Sequence, residues 1–314
     1  MTNEKQIYSD KIPNLRLWHD ATSLAQAEFC PRSYQHRILE NWSTHNDNIH
    51  LLFGLLYHDG LEHFTLQHHL HKVPYEDALQ DTFAFCQREL KKRKWVDDLP
   101  EKNDHTLIRS VIWYLLHYQN EAYIPYEYEV GGQKKLAVEL TFAIPLEDKH
   151  NLLIEDHTIG GHMDGVLVNK NDPEDIWIQE RKSTKKTLNT EFPTQNGYDP
   201  STQVFLYSWA GAQILPEPVY GVMLDVTQTT VNFSRFRRYL ILKNQEQLAE
   251  VERNIRSTIA SLEMYAQENY WPQHTRNCWS CPFKKVCSEP ESVRKSILNK
   301  NFVQSVWNPA EVRS

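Results

Sequence analysis

Three stretches of the 314-residue chain carry side chains whose types and spacing could do chemistry. In "GGHMDGVLVNKNDPEDIWIQERKSTKK", Asp164 precedes a second run that holds Glu180 and Lys182. Strand side chains alternate, so Glu180 and Lys182 share a face. The Asn-, Asp- and Pro-rich "NKNDPED" between the runs is turn chemistry and folds them into neighbours. Asp164 can then meet Glu180 and Lys182 on one surface. Two carboxylates brought together repel unless a cation sits between them, and hard oxygen ligands suit Mg²⁺ or Mn²⁺. A lysine beside that ion could orient or deprotonate a water, a combination able to cut a phosphodiester. Taken alone, D…E-x-K is more often a surface salt-bridge cluster, and 41 acidic residues give many chances to make one.

The second stretch is "QVFLY", where Gln203 and Tyr207 stand four apart on one face of a predicted helix. The third is "CWSCPFKKVC", which sets Cys278, Cys281 and Cys287 at C-x2-C-x5-C spacing. A tetrahedral thiolate site wants four ligands. Two further cysteines exist. Cys30 lies in "EFCPRSYQHRI"; Cys86, in "TFAFCQREL", sits on an apolar helical face and reads as a small buried residue. No run of 18 apolar residues occurs, and the first residues lack a hydrophobic signal core, so a cytoplasmic protein without a membrane partner is expected. In a reducing compartment the cysteines read as metal ligands or free thiols rather than disulfides.

A net charge of −7 argues against polyanion binding by the whole surface, leaving local basic patches to do it. "RKSTKK" begins inside the candidate catalytic strand, which makes Lys185 and Lys186 candidate phosphate contacts. No G-x-x-x-x-G-K-S/T motif appears, so any ATP-driven unwinding would need a separate protein.

These residues must be positioned by a definite set of elements. The N-terminal portion reads helical: His50 to Leu70, then 76–95 ending in "KKRK", then His105 to Tyr123. In the last, Ile108, Val111, Leu115 and Tyr118 recur at spacings of three or four. The character then turns to strands. "YEYEV" and "KKLAVELTFAI" are joined by a tight Gly131-Gly132 turn, and further strands fit 151–155, 159–169 and 175–182. Asp199 as cap and Pro200 at the first helical position predict a helix through "STQVFLYSWAGAQIL". Strands return in "PVYGVMLDV" and "TVNFSRFRRYLI", and Leu248, Val251, Ile255, Ile259 and Leu262 mark a long amphipathic helix. The expected class is α/β, a central mixed sheet flanked by helices. A single domain 1–314 is expected, with a helical region 1–125, a core 126–243, and a C-terminal helix and cysteine segment 244–314.

"GHMDGVL…IQERKST" followed by "QVFLY" resembles the PD-(D/E)XK nuclease superfamily, and within it the RecB-type branch. That branch has a G-x-x-D strand, an E-x-K strand and a Q-x-x-x-Y helix in this order. Its upstream G-x-x-x-H helix is matched by Gly54 and His58 in "FGLLYHDGLEHF". Met163 stands where the superfamily name has proline. The resemblance implies a restriction-endonuclease-like sheet in which His58, Asp164, Glu180 and the backbone carbonyl of Arg181 hold Mg²⁺ or Mn²⁺. It implies that Lys182 positions the attacking water, and that Gln203 and Tyr207 contact DNA or brace the site. Iron–sulfur members carry one cysteine upstream and three downstream at C-x2-C-x5-C. Cys30, Cys278, Cys281 and Cys287 would then hold a 4Fe–4S cluster joining the two chain ends, with zinc as the competing occupant. The implied activity is a metal-dependent DNA exonuclease acting on single strands or ends, in recombination, repair or CRISPR-type processing. Two other readings stay open: a DNA-end-binding subunit of a larger complex, and a zinc-stabilised protein-interaction module.

Overall fold

In the computed structural model, which describes residues 7–44, 49–93, 95, 99–146 and 153–305, the principal elements follow one another as below. Strand β1 (Trp18–His19) leads into helix α1 (Ala21–Phe29), and α2 (Ile49–Thr65), α3 (Tyr75–Lys92) and α4 (Asp104–His117) follow. Strands β2 (Glu127–Val130), β3 (Gln133–Leu136), β4 (Val138–Leu146), β5 (His157–Asn169) and β6 (Asp172–Thr184) come next. Helix α5 (Thr202–Ile214) precedes β7 (Gly221–Thr229) and β8 (Ser234–Leu242), and α6 (Gln245–Gln267) leads into the cysteine segment. This is the expected mixed sheet flanked by helices. Among the described residues no helix is long and apolar enough to cross a membrane.

The chain forms two compact regions. One comprises Asp47–Leu140 and His162–Asn244. There β5 and β6 pair antiparallel from Gly165↔Gln179 onward, β6 pairs parallel with β7 (Glu180↔Leu224), and β8 closes antiparallel on β7. A parallel pair cannot be joined by a tight turn, so the chain crosses from β6 to β7 through α5. Phe53, Leu56, Tyr57, Leu107 and Val111 build a core shared by α2, α3 and α4. Cys86 is buried in that core, as its apolar face predicts, and burial pushes its thiol up to about 12.

The other region comprises Met1–Asn46, Thr141–Gly161 and Gln245–Ser314, so it gathers both chain ends. The predicted apolar stripe of α6 is its buried face, and Leu262 and Ala266 pack in one cluster with Leu15, Tyr34 and Ile38. Asp20 caps α1 in a reciprocal box with Ser23, each side chain bonding the other's backbone N–H at 2.8 Å. β1 lies parallel to the first residues of β5, Trp18 opposite Thr158.

Three local expectations are corrected. The α5 cap is Ser201, whose hydroxyl accepts from Val204 N, so the helix begins at Thr202 rather than at Pro200; Asp199 instead accepts from Lys243 Nζ at 3.0 Å. The run "KKLAVELTFAI" is not one strand: β3 pairs with β2 across Gly131-Gly132, both at positive φ, and β4 starts anew after Ala137. The segment 151–155 shows no strand over 153–155, its first two residues lying outside the described ones.

Two glycines give opposite expectations. Gly221 sits at φ +151°, where an added Cβ would lie 2.1 Å from the Ile241 carbonyl oxygen. Gly54, inside α2, has nothing within 4 Å of that position. Gly221→Ala should therefore lose about 2 kcal/mol or more of stability, and Gly54→Ala should gain about 0.5–1 kcal/mol. Thermal unfolding of the two variants should show shifts of opposite sign.

Candidate active site

The antiparallel ladder of β5 and β6 does the positioning. The ladder reaches Gly165↔Gln179, so Asp164 and Glu180 stand next to its end, and Asp164 Oδ2 accepts the N–H of Arg181 at 2.6 Å. Alternation along β6 then sends Glu180 and Lys182 to one face and Gln179 and Arg181 to the other. Lys182 Nζ pairs with Glu180 Oε1 and also donates to Gln203 Oε1 at 3.1 Å. Gln203 Nε2 donates to the Tyr207 hydroxyl at 3.3 Å, one turn further along α5. From α2, His58 reaches in, with Nδ1 3.3 Å from Asp164 Oδ1. His58, Asp164, Glu180, Lys182, Gln203 and Tyr207 thus form one continuous constellation.

Glu139 on β4 belongs to it as well, and the sequence reading misses it. Its carboxylate lies 3.9 Å from His58 Nδ1, and one ligand atom each from His58, Glu139 and Asp164 fall within 4.8 Å of one another. The residue takes a left-handed φ of +47° inside a strand, a conformation unfavourable for a side chain with a Cβ. An acid between Val138 and Leu140 looks like the polar side of an alternating strand, so no spacing rule singles it out.

Burial and crowding set the charges. Burial works to raise the Asp164 carboxyl, but His58, by charge and hydrogen bond, with Lys182 and Arg181, outweighs it and holds the group down to about 2. The Glu180 carboxyl, only 2% exposed, is pushed up to about 7 by burial and then by the Asp164 charge, against the pull of Lys182. Glu139 is likewise pushed up to about 7, by burial first and Asp164 second. For His58 burial pulls down, yet the charge and hydrogen bond of Asp164 raise it above the usual imidazole range. Burial also opposes the Lys182 ammonium, and the Glu180 and Asp164 charges override it and raise the group.

This donor set fits a hard divalent cation. Glu180 Oε2 is buried with no hydrogen-bond partner among the described residues, the Glu139 and Asp164 carboxylates crowd one imidazole, and oxygen donors predominate. The two basic candidates are less available: Lys185 pairs with Glu101 at 3.2 Å, and Lys186 donates to Asn196 Oδ1.

Cys30, Cys278, Cys281 and Cys287 lie in the region that gathers the chain ends, and Cys86 does not. Cys30 Sγ accepts from His274 N at 3.4 Å, Cys278 Sγ lies 4.0 Å from the His274 carbonyl, and Cys281 Sγ lies 3.8 Å from Ser33 Oγ. Burial raises the Cys287 thiol, with Arg32 opposing and Cys281 and Cys30 adding to the rise. All five cysteines are free, and among the described residues no three sulphurs fall within 4.8 Å of one another.

The raised acids give a pH signature. A carboxyl lifted from 4.5 to about 7 lends stability that is complete below the unfolded value and lost as pH rises through the folded one. In chelator, Glu180→Gln should therefore melt progressively higher than wild type between pH 5 and pH 8. A constant difference across that range, read by thermal unfolding, would contradict the assignment.

A protein-family model described as the PD-(D/E)XK nuclease superfamily matches residues 21–288. No curated protein matches the chain. A crystal structure named "Putative exonuclease", from Eubacterium rectale, is similar at 12% identity with a TM-score of 0.47, covering 94% of this chain and 97% of that one. So slight a likeness carries no weight for fold or activity. The family match takes in most of the sequence, with Asp164, Glu180 and Lys182 inside it, and the chain belongs to the PD-(D/E)XK nuclease superfamily.

Proposed function

We propose that the chain is a metal-dependent DNA exonuclease of the RecB-type branch, acting on single strands or exposed ends. The observation behind this reading is the approach of His58 to Asp164. A histidine on an upstream helix meets the D…E-x-K pair at 3.3 Å, which is the arrangement the branch resemblance calls for. His58, Asp164, Glu180 and the Arg181 carbonyl would hold Mg²⁺ or Mn²⁺, which when bound supplies charge for a phosphoryl oxygen and a more acidic water. The remaining work falls to the chain. Lys182, fixed between Glu180 and Gln203, holds its ammonium where it can orient a water and offset charge developing on phosphate. Tyr207 braces Gln203, which in turn steers Lys182. Lys185 and Lys186 lie exposed just past the catalytic strand, where DNA phosphate can compete for them with Glu101 and Asn196. A separate helicase or a recombination, repair or CRISPR protein would supply opened strands.

The test is digestion of end-labelled linear and of circular DNA, single- and double-stranded, with Mg²⁺ or Mn²⁺. Wild type should degrade linear substrates and spare circles. Asp164→Ala and Lys182→Ala should each lose about a hundredfold or more in rate. Equal rates in all three proteins would remove the active-site assignment, and cutting of circles would replace exonuclease by endonuclease.

The same reading gives Cys30, Cys278, Cys281 and Cys287 a 4Fe–4S cluster with an architectural role. Its support is the approach of Cys30 to His274, close to the Cys278 sulphur, and the nearness of Cys281 and Cys30 to Cys287, whose thiol they help to raise. Protein purified without oxygen should be brown and carry about four irons per chain. Cys30→Ala and Cys281→Ala should lose that iron and melt lower. One zinc per chain and no colour would assign the thiolates to zinc instead.

A further inference from the structure

Lys102 stands just before α4, in the region made of Asp47–Leu140 and His162–Asn244, and is only 5% exposed. Its Nζ lies 4.7 Å from the centre of the Phe53 ring on α2 and donates to Ser183 Oγ on β6 at 3.4 Å. An ammonium carries three donors and a full charge, which a hydroxyl and a ring face do not neutralise. Burial accordingly pulls the Lys102 amine down to about 8, with the Glu101 charge opposing. Glu101 itself is bonded to Lys185 at 3.2 Å. The His50 imidazole on α2 is pulled down by burial first, and then by the Lys102 and Lys185 charges. Two ammonium groups and an imidazole thus gather around one carboxylate, in a chain whose net charge is −7.

We propose that Lys102, Ser183 and Lys185 form a second phosphate-binding subsite for the substrate strand, which Glu101 fills when no strand is bound. A phosphate brings what this cluster lacks: several acceptor oxygens and negative charge, set against a buried ammonium, an exposed one and a hydroxyl. Ser183 Oγ can donate its proton to that phosphate while it accepts from Lys102. Glu101 already plays the part of the anion. A bond from its own backbone N–H, and then its bond to Lys185, hold its carboxyl below the usual range. Ser183 follows Lys182 directly, and alternation sends it to the other face of β6. The subsite therefore holds a phosphate other than the one attacked, and it positions the strand rather than cutting it. The inference rests on the nuclease reading for the identity of the ligand, since charge alone asks only for an anion.

The experiment measures binding by the full chain in chelator, where nothing is cut. The probe is a fluorescent deoxythymidine oligonucleotide carrying either a 5′-phosphate or a 5′-hydroxyl. Lys102→Met, which keeps the length and removes the charge, should bind about tenfold more weakly and flatten the salt dependence by about 0.7 in slope. It should melt no lower than wild type, because a buried charge has gone; a purely structural lysine would give a lower melting temperature and unchanged affinity. Glu101→Gln should bind several-fold tighter, and it decides the matter if Lys102→Met does not fold. Loss confined to the 5′-phosphate form assigns the subsite to a strand end, and equal loss in both forms assigns it to a phosphate within the strand. Wild-type affinity in either variant, with DNA cleavage intact, overturns the subsite alone. Inorganic phosphate separates that failure from failure of the nuclease reading. If it raises the melting temperature of wild type but not of Lys102→Met, and neither binds oligonucleotide, the anion subsite stands and the nuclease reading goes.

Discussion

Carboxylate crowding around Asp164 is the constraint on which the rest of the site depends. Like charges at close range cannot all ionise in a buried setting without a counter-charge, and the structure divides the burden unevenly. Asp164 keeps its charge because His58, Lys182 and Arg181 surround it and the N–H of Arg181 bonds to it. Glu139 and Glu180, more dependent on burial, are held near neutrality's edge. Protonation and a divalent cation are alternative ways to relieve the same repulsion. The site is thus least comfortable when deprotonated and metal-free, which fits the proposed cation site.

Such a pocket needs rigid walls, and the opposite face of β6 supplies them. Gln179 Nε2 donates to Asp225 Oδ2 at 2.8 Å and to the Tyr114 hydroxyl at 3.2 Å, and Arg238 Nε donates to the same Asp225 oxygen at 2.8 Å. Tyr114 donates its own hydroxyl to Asp225, and Arg238 also pairs with Glu121. This buried network ties α4 to β6, β7 and β8 through one carboxylate. Arg181 sits on that face too, buried, and its charge helps hold the Asp164 carboxyl down. The bonds to Asp225 Oδ2 tie the strand that carries Glu180 and Lys182 to its neighbours, while Gln179 Oε1, Asp225 Oδ1 and Arg181 Nε are buried without hydrogen-bond partners among the described residues. Deleting one partner would loosen the register on which the Asp164–Glu180 approach depends.

How much of this was legible in the sequence varied with the physics involved. The ladder was legible because period-two alternation and an Asn/Asp/Pro turn are local: "GHMDGVL" and "IQERK" had to become neighbours. The α6 stripe and the burial of Cys86 followed from helical periodicity for the same reason. The start of α5 was misread because two capping signals stood within three residues, and Ser201 won over Asp199, which found Lys243 instead. Glu139 was illegible because its place beside His58 and Asp164 arises from a left-handed φ and from residues 81 and 25 positions away in the chain, neither of which leaves a local pattern. Motif reasoning also treated Lys185 as available for DNA, while the fold supplies Glu101 as a partner 84 residues upstream.

The placement of Glu139 also bears on why the core beside the site is built as it is. His58 lies on α2, whose next-door residues Leu56, Tyr57 and Leu61 are all buried in the α2–α4 core. Tyr57 further bonds Thr227 of β7 through its hydroxyl at 2.6 Å. These contacts fix the rotation of α2 about its axis, and that rotation alone decides whether His58 points at Asp164 and Glu139 or away from them. A helix held only by apolar burial could rotate by a fraction of a turn at small cost, since packing is tolerant of modest shifts in shape. The directional Tyr57–Thr227 bond removes that freedom, because a hydroxyl at one position on the helix must meet a hydroxyl at one position on the strand. Helix register and strand register are thereby coupled, and the imidazole is delivered to the carboxylates by the same packing that stabilises the fold.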